Sequence, residues 1–576
     1  MGRAFKPLLL AGLALGLVAC SERFAGDSSS SPLSSPAVVS AAQMSVADAI
    51  QETFASGRVN SPELTPEVAA FYEAQEFRAL WLDQAGRPGS EAQVALKLIL
   101  HADAEGLDPA DYQALQLVQD ASALATGQVA VQEAASFDVR LTAASLRYLR
   151  HVHHGRVSPK AFGYRLADRA DEHNFPATLR SAVEAHRFEA EVASFAPQLQ
   201  LYRNLKARLA EYRALAQDEG LTVPPTPASS VKPGGAYEGA AALQRLLVAL
   251  GDLPPDQQPA TSNQQLAANQ QPATSNQQPS LYSPPLVAGV KHFQERHGLT
   301  PDGVLGRGTV AALQVPMAQR ARQIELALER LRWLPHIGDG PLIGVNIPMF
   351  RMWAWSAAGE NSMPDFEMGV IVGAALRTET PVFIEDMEFV TFRPYWNVPP
   401  SIVKGEILPA IERDSAYLTR HDMELVAGQS DAAKVVPASD ENLARLEKGE
   451  LRVRQRPGVK NSLGLMKFIF PNDDNVYMHG TPAPALFARE RRDFSHGCIR
   501  VEDPVALAEW VLRDQGMDRG QIVQATQGEQ PKTVKLEKPV QVVIFYLTAI
   551  VAPDGTLRFA DDIYKTDAAL DRALSD

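Results

Sequence analysis

The sequence predicts a multidomain α+β protein: a helical N-terminal domain, a small three-helix module, and a mostly β C-terminal domain with an inserted helical cap. Its 576 residues are too many for a single hydrophobic core. Residues 46–235 carry apolar side chains at spacings of three and four, as amphipathic helices do. From residue 344 onward, runs rich in β-branched and aromatic residues alternate with turn residues, which is typical of strands.

The overall composition is that of an ordinary soluble globular protein, with 45% hydrophobic and 21% charged residues. The formal net charge of -13 argues against a general nucleic-acid binder, because such a protein needs a basic face to replace the counterions of phosphate. We therefore expect no nucleic-acid partner. An acidic balance is compatible with polar saccharide or peptide substrates, but it identifies none of them.

Residues 1–19 have the pattern of a secretory signal peptide. Arg3 and Lys6 precede an apolar run at 8–19, which is too short to cross ~30 Å of hydrocarbon as a helix. The run ends in Leu-Val-Ala-Cys20, which resembles a bacterial lipobox and implies that Cys20 is lipidated and anchors the protein in a membrane. Ser21 follows, and by resemblance to the known sorting rule this implies the inner leaflet of the outer membrane, with the protein in the periplasm. An ordinary signal peptide with a chance cysteine is the alternative.

The next segments are predicted to be a tether and a helical scaffold. Residues 20–45 include a Ser/Pro-rich stretch that cannot build a core, so we expect a flexible tether. Residues 46–235 are the helical scaffold domain, and 316–340 form a connecting helix after the small module. Three clustered histidines in the scaffold raise the question of a metal site: His151, His153 and His154. Because adjacent residues point to different sides of a helix and no carboxylate lies at ligand spacing, we predict no metal.

The small module spans residues 236–315 and is interrupted by low-complexity sequence. A nonamer occurs at 257–265 and again at 270–278, and its lack of an apolar face predicts a disordered insertion at 256–280. After the insertion, a helix ending in Phe-Gln…His-Gly-Leu299 is followed by an Asp-Gly turn and a helix that Thr309 is expected to cap. This pattern resembles the type 1 family of peptidoglycan-binding domains. Such modules also serve as spacers, so the sequence leaves wall binding open.

The C-terminal part is predicted to consist of a catalytic domain at 341–527 and an extension at 528–576. Within the domain, a polar segment reads as helical and interrupts the strand pattern. We therefore expect a helical cap at about 405–455 that covers the site.

The two cysteines of the chain, Cys20 and Cys498, limit its redox chemistry. If Cys20 carries lipid, Cys498 is the sole thiol of an exported protein and no intramolecular disulfide can form. A catalytic cysteine needs a base within reach, and both His479 and His496 are close in sequence. In an extended segment His496 would share a face with Cys498, whereas His479 would approach across the sheet. Gly497 leaves amides open beside the sulfur, where they would stabilise an oxyanion.

The spacing of these residues resembles a known signature. His479-Gly, fifteen residues from 480 to 494, and then Ser-His-Gly-Cys498-Ile-Arg looks like the YkuD-type L,D-transpeptidase domain. Segments 392–400, 456–471 and 554–564 resemble the large multidomain Gram-negative branch of that family. With the helical scaffold and the wall-binding-like module, the resemblance spans nearly the whole mature chain.

The resemblance implies a role for each matching residue. Cys498 is the nucleophile and His479 its general base. Ser495, His496 and Gly497 shape the pocket, with the amides of Gly497 and Cys498 in the oxyanion hole. The resemblance also implies Tyr477 and Arg500 as substrate contacts or their supports, and Gly480 and Trp396 are added as candidate substrate contacts. Many relatives in this branch have Asp where this chain has Gly480, which leaves the orientation of His479 open, and Trp396 has packing as its alternative role.

The implied activity is acyl transfer on peptidoglycan stem peptides. Cys498 would form a thioester with release of D-alanine, and a stem amine would resolve it into a 3–3 crosslink without a metal or organic cofactor. Hydrolysis at the same site, as an L,D-carboxypeptidase, and a non-catalytic cell-wall-binding scaffold are the alternatives. A peptidoglycan synthase and a D,D-carboxypeptidase are the protein partners that the resemblance suggests.

Overall fold

The computed structural model describes residues 44–55, 65–127, 129–166, 173–253, 281–335, 337–357, 359, 362–375 and 378–575. The predicted signal peptide, the lipidation site Cys20 and the insertion at 256–280 lie outside these residues, as does all of the tether except its last two positions.

The N-terminal domain is helical, as predicted. Its longest helix, α5, is central because it is buried along most of its length. The carboxylate of Asp138 on α5 accepts hydrogen bonds from the hydroxyl of Tyr72 at 2.6 Å and from the backbone N–H of Trp81 at 2.8 Å, so a buried polar group is satisfied. The helices are α1 Val46–Ala55, α2 Pro66–Glu73, α3 Ser90–Leu100, α4 Ala114–Ala125, α5 Val131–His154, α6 Phe175–Glu184, α7 Phe188–Phe195 and α8 Gln200–Gln217.

The small module contains helices α9 Ala240–Ala249, α10 Pro284–Arg296 and α11 Arg307–Leu313. The side chain of Gln294 joins its parts: Nε2 donates to Thr309 Oγ1 at 3.0 Å, and Oε1 accepts from the N–H of Gly303 at 2.8 Å. The Phe-Gln and Asp-Gly elements of the sequence pattern are thus in direct contact. At the end of α10, the ring of His297 stacks on Phe559, with centroids 5.7 Å apart, so the module packs against the C-terminal part of the chain.

Helix α12, Met317–Arg332, connects the N-terminal and C-terminal parts. The fully buried guanidinium of Arg332 donates to the hydroxyl of Tyr202 at 2.9 Å and pairs with Glu329 at 3.0 Å. Arg330 pairs with Asp567 near the C-terminus. The bond from Arg332 to Tyr202 on α8 and the pair of Arg330 with Asp567 join α12 to both parts of the chain, and breaking either would leave a buried charge without its partner.

The C-terminal domain is built on a nine-stranded sheet in the order β11-β3-β12-β10-β9-β4-β13-β1-β2. The last strand of this order, β2, also pairs with β3, the second strand, so the sheet curls back on itself. Its strands are β1 Leu342–Asn346, β2 Arg351–Trp355, β3 Phe366–Gly373, β4 Phe383–Phe392, β9 Met466–Ile469, β10 Met478–His479, β11 Asp493–Ser495, β12 Ile499–Val501 and β13 Lys532–Phe545, and the cap described below contains β5 to β8.

The predicted C-terminal extension contributes to this sheet. Strand β13 lies between β4 and β1, and its second half alternates into the core through Val540, Val542 and Ile544. The extension at 528–576 is therefore not separate from the catalytic domain, because its apolar face completes the core. The remaining elements of this part are α17 Pro504–Leu512, α18 Arg519–Thr526, the hairpin β14 Ala549–Val551 and β15 Leu557–Phe559, and α19 Thr566–Ser575.

The cap differs from the helical segment that the sequence predicts. It contains a four-stranded sheet in the order β5-β8-β6-β7 beside four short helices. Strands such as β8, Arg-Val-Arg-Gln, are short and mostly polar, so their sequence pattern does not differ from that of a solvated helix. The elements are β5 Trp396–Asn397, α13 Pro400–Ile402, a π-helical turn Val403–Ile407, α14 Leu408–Arg413, α15 Tyr417–Arg420, β6 Met423–Ala427, β7 Lys434–Val436, α16 Asp440–Glu447 and β8 Arg452–Gln455.

Across the described residues, no helix combines the length and the apolar character that crossing a membrane requires. The same residues hold no group of three or more His, Cys, Asp or Glu side chains placed to bind a metal ion.

Candidate active site

The site is organised by two neighbouring parallel strands. In β10 and β12, Met478 pairs with Ile499, and His479 pairs with Arg500. Met478 and Ile499 point into the hydrophobic core. Because side chains alternate along a strand, His479 and Arg500 face the opposite side of the sheet.

Two further residues extend this face just ahead of the strands. Tyr477 and Cys498 occupy the register position before Met478 and Ile499, and the N–H of Ile499 donates to the carbonyl of Tyr477 at 3.0 Å. The antiparallel neighbour β9 places Lys467 opposite His479. The face therefore collects the thiol, one imidazole, one phenol and two cations: Cys498, His479, Tyr477, Lys467 and Arg500.

The thiol of Cys498 is half-buried and hydrogen-bonded. It donates to the carbonyl oxygen of Asn475 at a sulfur–oxygen distance of 3.7 Å, and it accepts from the side chain and backbone of Tyr477. Burial raises the pKa of the Cys498 thiol, while the hydrogen bonds from Tyr477 and the charges of Lys467 and Arg500 oppose that rise. At neutral pH the resting group is therefore a thiol.

His479 is buried, with 4% of its surface exposed. Its Nδ1 lies 2.6 Å from the carbonyl oxygen of Gly480, and because a carbonyl can only accept, Nδ1 carries the proton and Nε2 has a free lone pair. Burial, reinforced by the charge of Arg500, lowers the pKa of His479 to about 3. The imidazole is thus a neutral acceptor across the physiological range. The orientation of this ring, which the sequence left open, is set by the backbone of Gly480 itself.

The loop between β11 and β12 is held by side-chain contacts to its backbone. Ser495 Oγ donates to the carbonyl of Cys498 at 2.5 Å, and Thr380 Oγ1 donates to the carbonyl of Gly497 at 2.8 Å. Gly497 has a φ of 105°, in the left-handed region that a side chain would strain. Within the described residues, the amides of Gly497 and Cys498 form no hydrogen bond, which leaves both N–H groups for an oxyanion.

His496 contacts the cap. Its Nε2 lies 2.7 Å from Oε1 of Glu406, in the π-helical turn of the cap, and both side chains are about half exposed. Strand alternation does not place His496 beside Cys498, because residues 496–498 lie between two strands and Gly497 turns the backbone. This is a contact between the nucleophile loop and the cap that the sequence did not reveal.

The other candidate residues have mainly structural contacts. Trp396 lies in β5, pairs with Gln455 and packs against the apolar core of the cap. The arginines ahead of Ser495 are also engaged: Arg491 binds Asp493 with two hydrogen bonds of 2.7 Å, and Arg492 donates to the carbonyl of Phe350 at 2.9 Å.

Residues missed by sequence reasoning share one property: their role depends on long-range contacts. Glu406, Asn475 and Thr380 lie 92, 23 and 118 residues from Cys498 (498 minus 406, 475 and 380). Asn475 adopts a φ of 54°, which asparagine tolerates better than most residues, but nothing in its sequence neighbours indicates that its carbonyl meets the thiol.

The turn that orients His479 gives a stability prediction with an internal control. A Cβ on Gly464, whose φ is 65°, would lie 2.6 Å from the N of Thr481 and 2.7 Å from the carbonyl carbon of Gly480. Gly464→Ala should destabilise the protein by at least about 1–2 kcal/mol and lower activity, since it displaces the carbonyl that holds His479. Gly480→Ala, whose Cβ would find no atom closer than 3.4 Å, should be tolerated. Urea unfolding of both variants checks this, and equal stability would contradict it.

Comparisons with known proteins agree with this organisation. Residues 340–542 match the model of the L,D-transpeptidase catalytic domain, named YkuD. Residues 66–209 match a scaffold domain, and residues 237–313 match a model described as "putative peptidoglycan binding domain". The helical scaffold, the small module and the mostly β domain are therefore confirmed as three known domain types in one chain.

Similar proteins carry the same description. A Haemophilus influenzae protein named "putative L,D-transpeptidase" is 30% identical over 282 residues, which cover 48% of this chain and 55% of that protein. The chain thus spans about half the length of this curated relative. Among solved structures, an L,D-transpeptidase from Stackebrandtia nassauensis is 14% identical with a TM-score of 0.20, over 56% of this chain and 97% of its own. One from Xylanimonas cellulosilytica is 16% identical with a TM-score of 0.16, over 56% and 100%.

Proposed function

We propose that this chain is a peptidoglycan L,D-transpeptidase that forms 3–3 crosslinks through a thioester on Cys498, since its residues 340–542 match the model of the L,D-transpeptidase catalytic domain. The observation that supports this most is the pairing on one sheet face of a sole described thiol with a buried, neutral imidazole whose Nε2 is free to accept a proton.

The first half-reaction acylates the thiol. As the Cys498 sulfur attacks the carbonyl of the third stem residue, its proton passes to Nε2 of His479. The carbonyl oxygen becomes an oxyanion that the amides of Gly497 and Cys498 stabilise. The C–N bond to D-alanine then breaks, His479 returns the proton to the departing amine, and a thioester remains.

The resting pair is neutral in this scheme. The pKa of His479 is about 3 and that of Cys498 is raised, so an imidazolium–thiolate pair is not the ground state. The low pKa of the imidazolium makes it a strong acid once formed, which suits rapid donation to the leaving amine. In the second half-reaction a stem side-chain amine attacks the thioester carbonyl and loses a proton to His479. The C–S bond breaks, His479 passes the proton to the departing Cys498 sulfur, and the crosslink is released with the resting thiol restored.

The setting of the reaction is part of the proposal. A lipid anchor at Cys20 would hold the enzyme in the periplasm at the outer membrane, within reach of the wall, and the peptidoglycan-binding-like module would lie beside the catalytic domain. The tetrapeptide donor would come from a D,D-carboxypeptidase acting on the stems that a peptidoglycan synthase has joined.

Product analysis tests the function. The chain with Cys20→Ser, which cannot be lipidated, is incubated with tetrapeptide-bearing muropeptides, and the products are separated and weighed. Crosslinked dimers together with free D-alanine are expected. D-alanine without dimers would favour the L,D-carboxypeptidase alternative, and neither product would favour the non-catalytic wall-binding scaffold.

The contact between cap and nucleophile loop gives a prediction about the acceptor. We expect the pair formed by Glu406 and His496 to hold the cap over the thioester and so exclude water. Glu406→Ala should raise the hydrolysed fraction of thioester up to about 5-fold, the range of one exposed ion pair, without slowing D-alanine release. Glu412→Ala, an exposed acid on α14, is the matched control. An unchanged ratio of dimer to hydrolysed product in Glu406→Ala would contradict this role.

A further inference from the structure

Lys467 is an unusual residue for its position. It lies in β9, opposite His479 in the antiparallel register, and it is half-buried on the face that carries Cys498. Its Nζ lies 3.7 Å from the ring centroid of Tyr477, in cation–π contact. The described part of the chain gives this ammonium no carboxylate within ion-pair distance. Burying a cation without a carboxylate is costly. We therefore expect the groups that Lys467 faces to stabilise its charge.

The groups around the sulfur can be named element by element. Strand β10 contributes Tyr477 and His479, β12 contributes Arg500, and β9 contributes Lys467. From the cap, the carboxylate of Asp431 acts on Lys467. The charges of Lys467 and Arg500 both lower the pKa of Cys498.

The influence between Lys467 and Cys498 is mutual. Burial lowers the pKa of Lys467 while the charge of a Cys498 thiolate raises it, and the charge of Lys467 lowers the pKa of the thiol. Since His479 is neutral before it accepts the proton, it does not stabilise negative charge on the sulfur at that stage. The charge of Lys467 does not depend on that proton transfer, and the ring of Tyr477, which itself hydrogen-bonds to Cys498, fixes its place.

We propose that Lys467 is an electrostatic positioning residue: its ammonium, held against the ring of Tyr477, stabilises the negative charge that forms on the Cys498 sulfur. This rests on the proposed function only in that Cys498 is the nucleophile. A lysine that bound a carboxylate of the stem peptide would leave the reactivity of the free thiol unchanged.

Alkylation of Cys498 by iodoacetamide measures this without peptidoglycan. The thiolate forms an S–C bond, iodide leaves, and the neutral reagent has no carboxylate for Lys467 to bind. In the full chain with Cys20→Ser, Cys498 is the sole cysteine, so the modification rate reports this thiol alone. The rate is measured from pH 6 to 11 for the parent, Lys467→Met and Lys467→Arg. The matched control is Lys535→Met, which removes a lysine that faces the ring of Phe389 on β4, with its Nζ 6.0 Å from the ring centroid.

We expect Lys467→Met to be alkylated roughly 3- to 10-fold more slowly at pH 8, with the rates converging at high pH where all thiols are ionised. Lys467→Arg should restore most of the rate, and Lys535→Met should match the parent. A structural defect, in contrast, would lower the rate at every pH. Folding of each variant is checked by far-UV circular dichroism. If Lys467→Met does not fold, Lys467→Gln takes its place.

Superimposable pH profiles for the parent and Lys467→Met would overturn the proposal. So would a loss of crosslinking with normal alkylation, which would assign Lys467 to the substrate. If the parent is alkylated with the expected dependence on Lys467 but forms no thioester with stem peptides, the proposed function fails and this inference stands.

Discussion

Replacing Cys498 with alanine is expected to lower D-alanine release from tetrapeptide stems by about 10⁴-fold or more, because removing a nucleophile removes the covalent route altogether. Ser495, the nearest hydroxyl in sequence, cannot substitute, since its Oγ is engaged with the carbonyl of Cys498 at 2.5 Å. The side chain of Cys498 is small and half-buried, so the variant should fold normally.

The measurement is the initial rate of D-alanine release by parent and variant at equal concentration. Cys498→Ser is the accompanying variant, which keeps the shape of the side chain but has a far less acidic nucleophile. Its residual rate of D-alanine release should lie within about tenfold of that of Cys498→Ala. Release by Cys498→Ala at more than a hundredth of the parent rate would contradict a thioester mechanism.

Replacing His479 with alanine is expected to lower the rate by about 10²- to 10⁴-fold, the contribution of a positioned general base. The pH dependence gives a sharper test. The pKa of His479 is lowered to about 3, so the ring is in its accepting, neutral form at every pH above that value. The rate of D-alanine release should therefore show no inflection near pH 6.5, and its acid limb should appear only as the pH falls toward 4.

His496 provides the control for this assignment. It is exposed and bound to Glu406, so His496→Ala should leave D-alanine release within a few-fold of the parent and change mainly the share of thioester lost to water. A loss of D-alanine release in His496→Ala as large as that in His479→Ala would instead identify His496 as the base, and the roles given to the two histidines would have to be exchanged.

Much of this site could be predicted from sequence because its parts are local. The segment from Tyr477 to Arg500 contains the thiol, both histidines and the glycine of the turn, and a strand ending at His479 was expected to approach Cys498 across the sheet. The structure places β10 and β12 as neighbours, which brings His479 to the face that carries Cys498, whereas His496 contacts Glu406 of the cap.

The parts that escaped prediction depend on pairing between distant segments. The cap was predicted to be helical, but its polar strands pair across about thirty residues, for instance Glu424 with Arg454, and no single-strand pattern shows that. Strand β13 belongs to the segment predicted as an extension, yet its second half completes the core. Lys467 could not be distinguished from a solvated strand lysine, because only the register of β9 shows that it faces His479.

The orientation of His479 is a further case. Sequence comparison with the family directs attention to the side chain after the histidine, and a glycine there removes that side chain. The backbone carbonyl of Gly480 supplies the hydrogen bond, so the base is held by an atom that every residue type possesses. The close approach of Gly464 to the backbone of Gly480 fixes the position of this carbonyl and so the orientation of the His479 ring.

The most direct test of the account is the intact mass of the chain with Cys20→Ser, quenched in acid during turnover of a tetrapeptide stem. The account predicts an added mass equal to the stem without its terminal D-alanine, carried on the peptide that contains Cys498 and lost on treatment with hydroxylamine. Continued release of D-alanine with no adduct on that peptide, in the parent and under conditions that slow the second half-reaction, would contradict it.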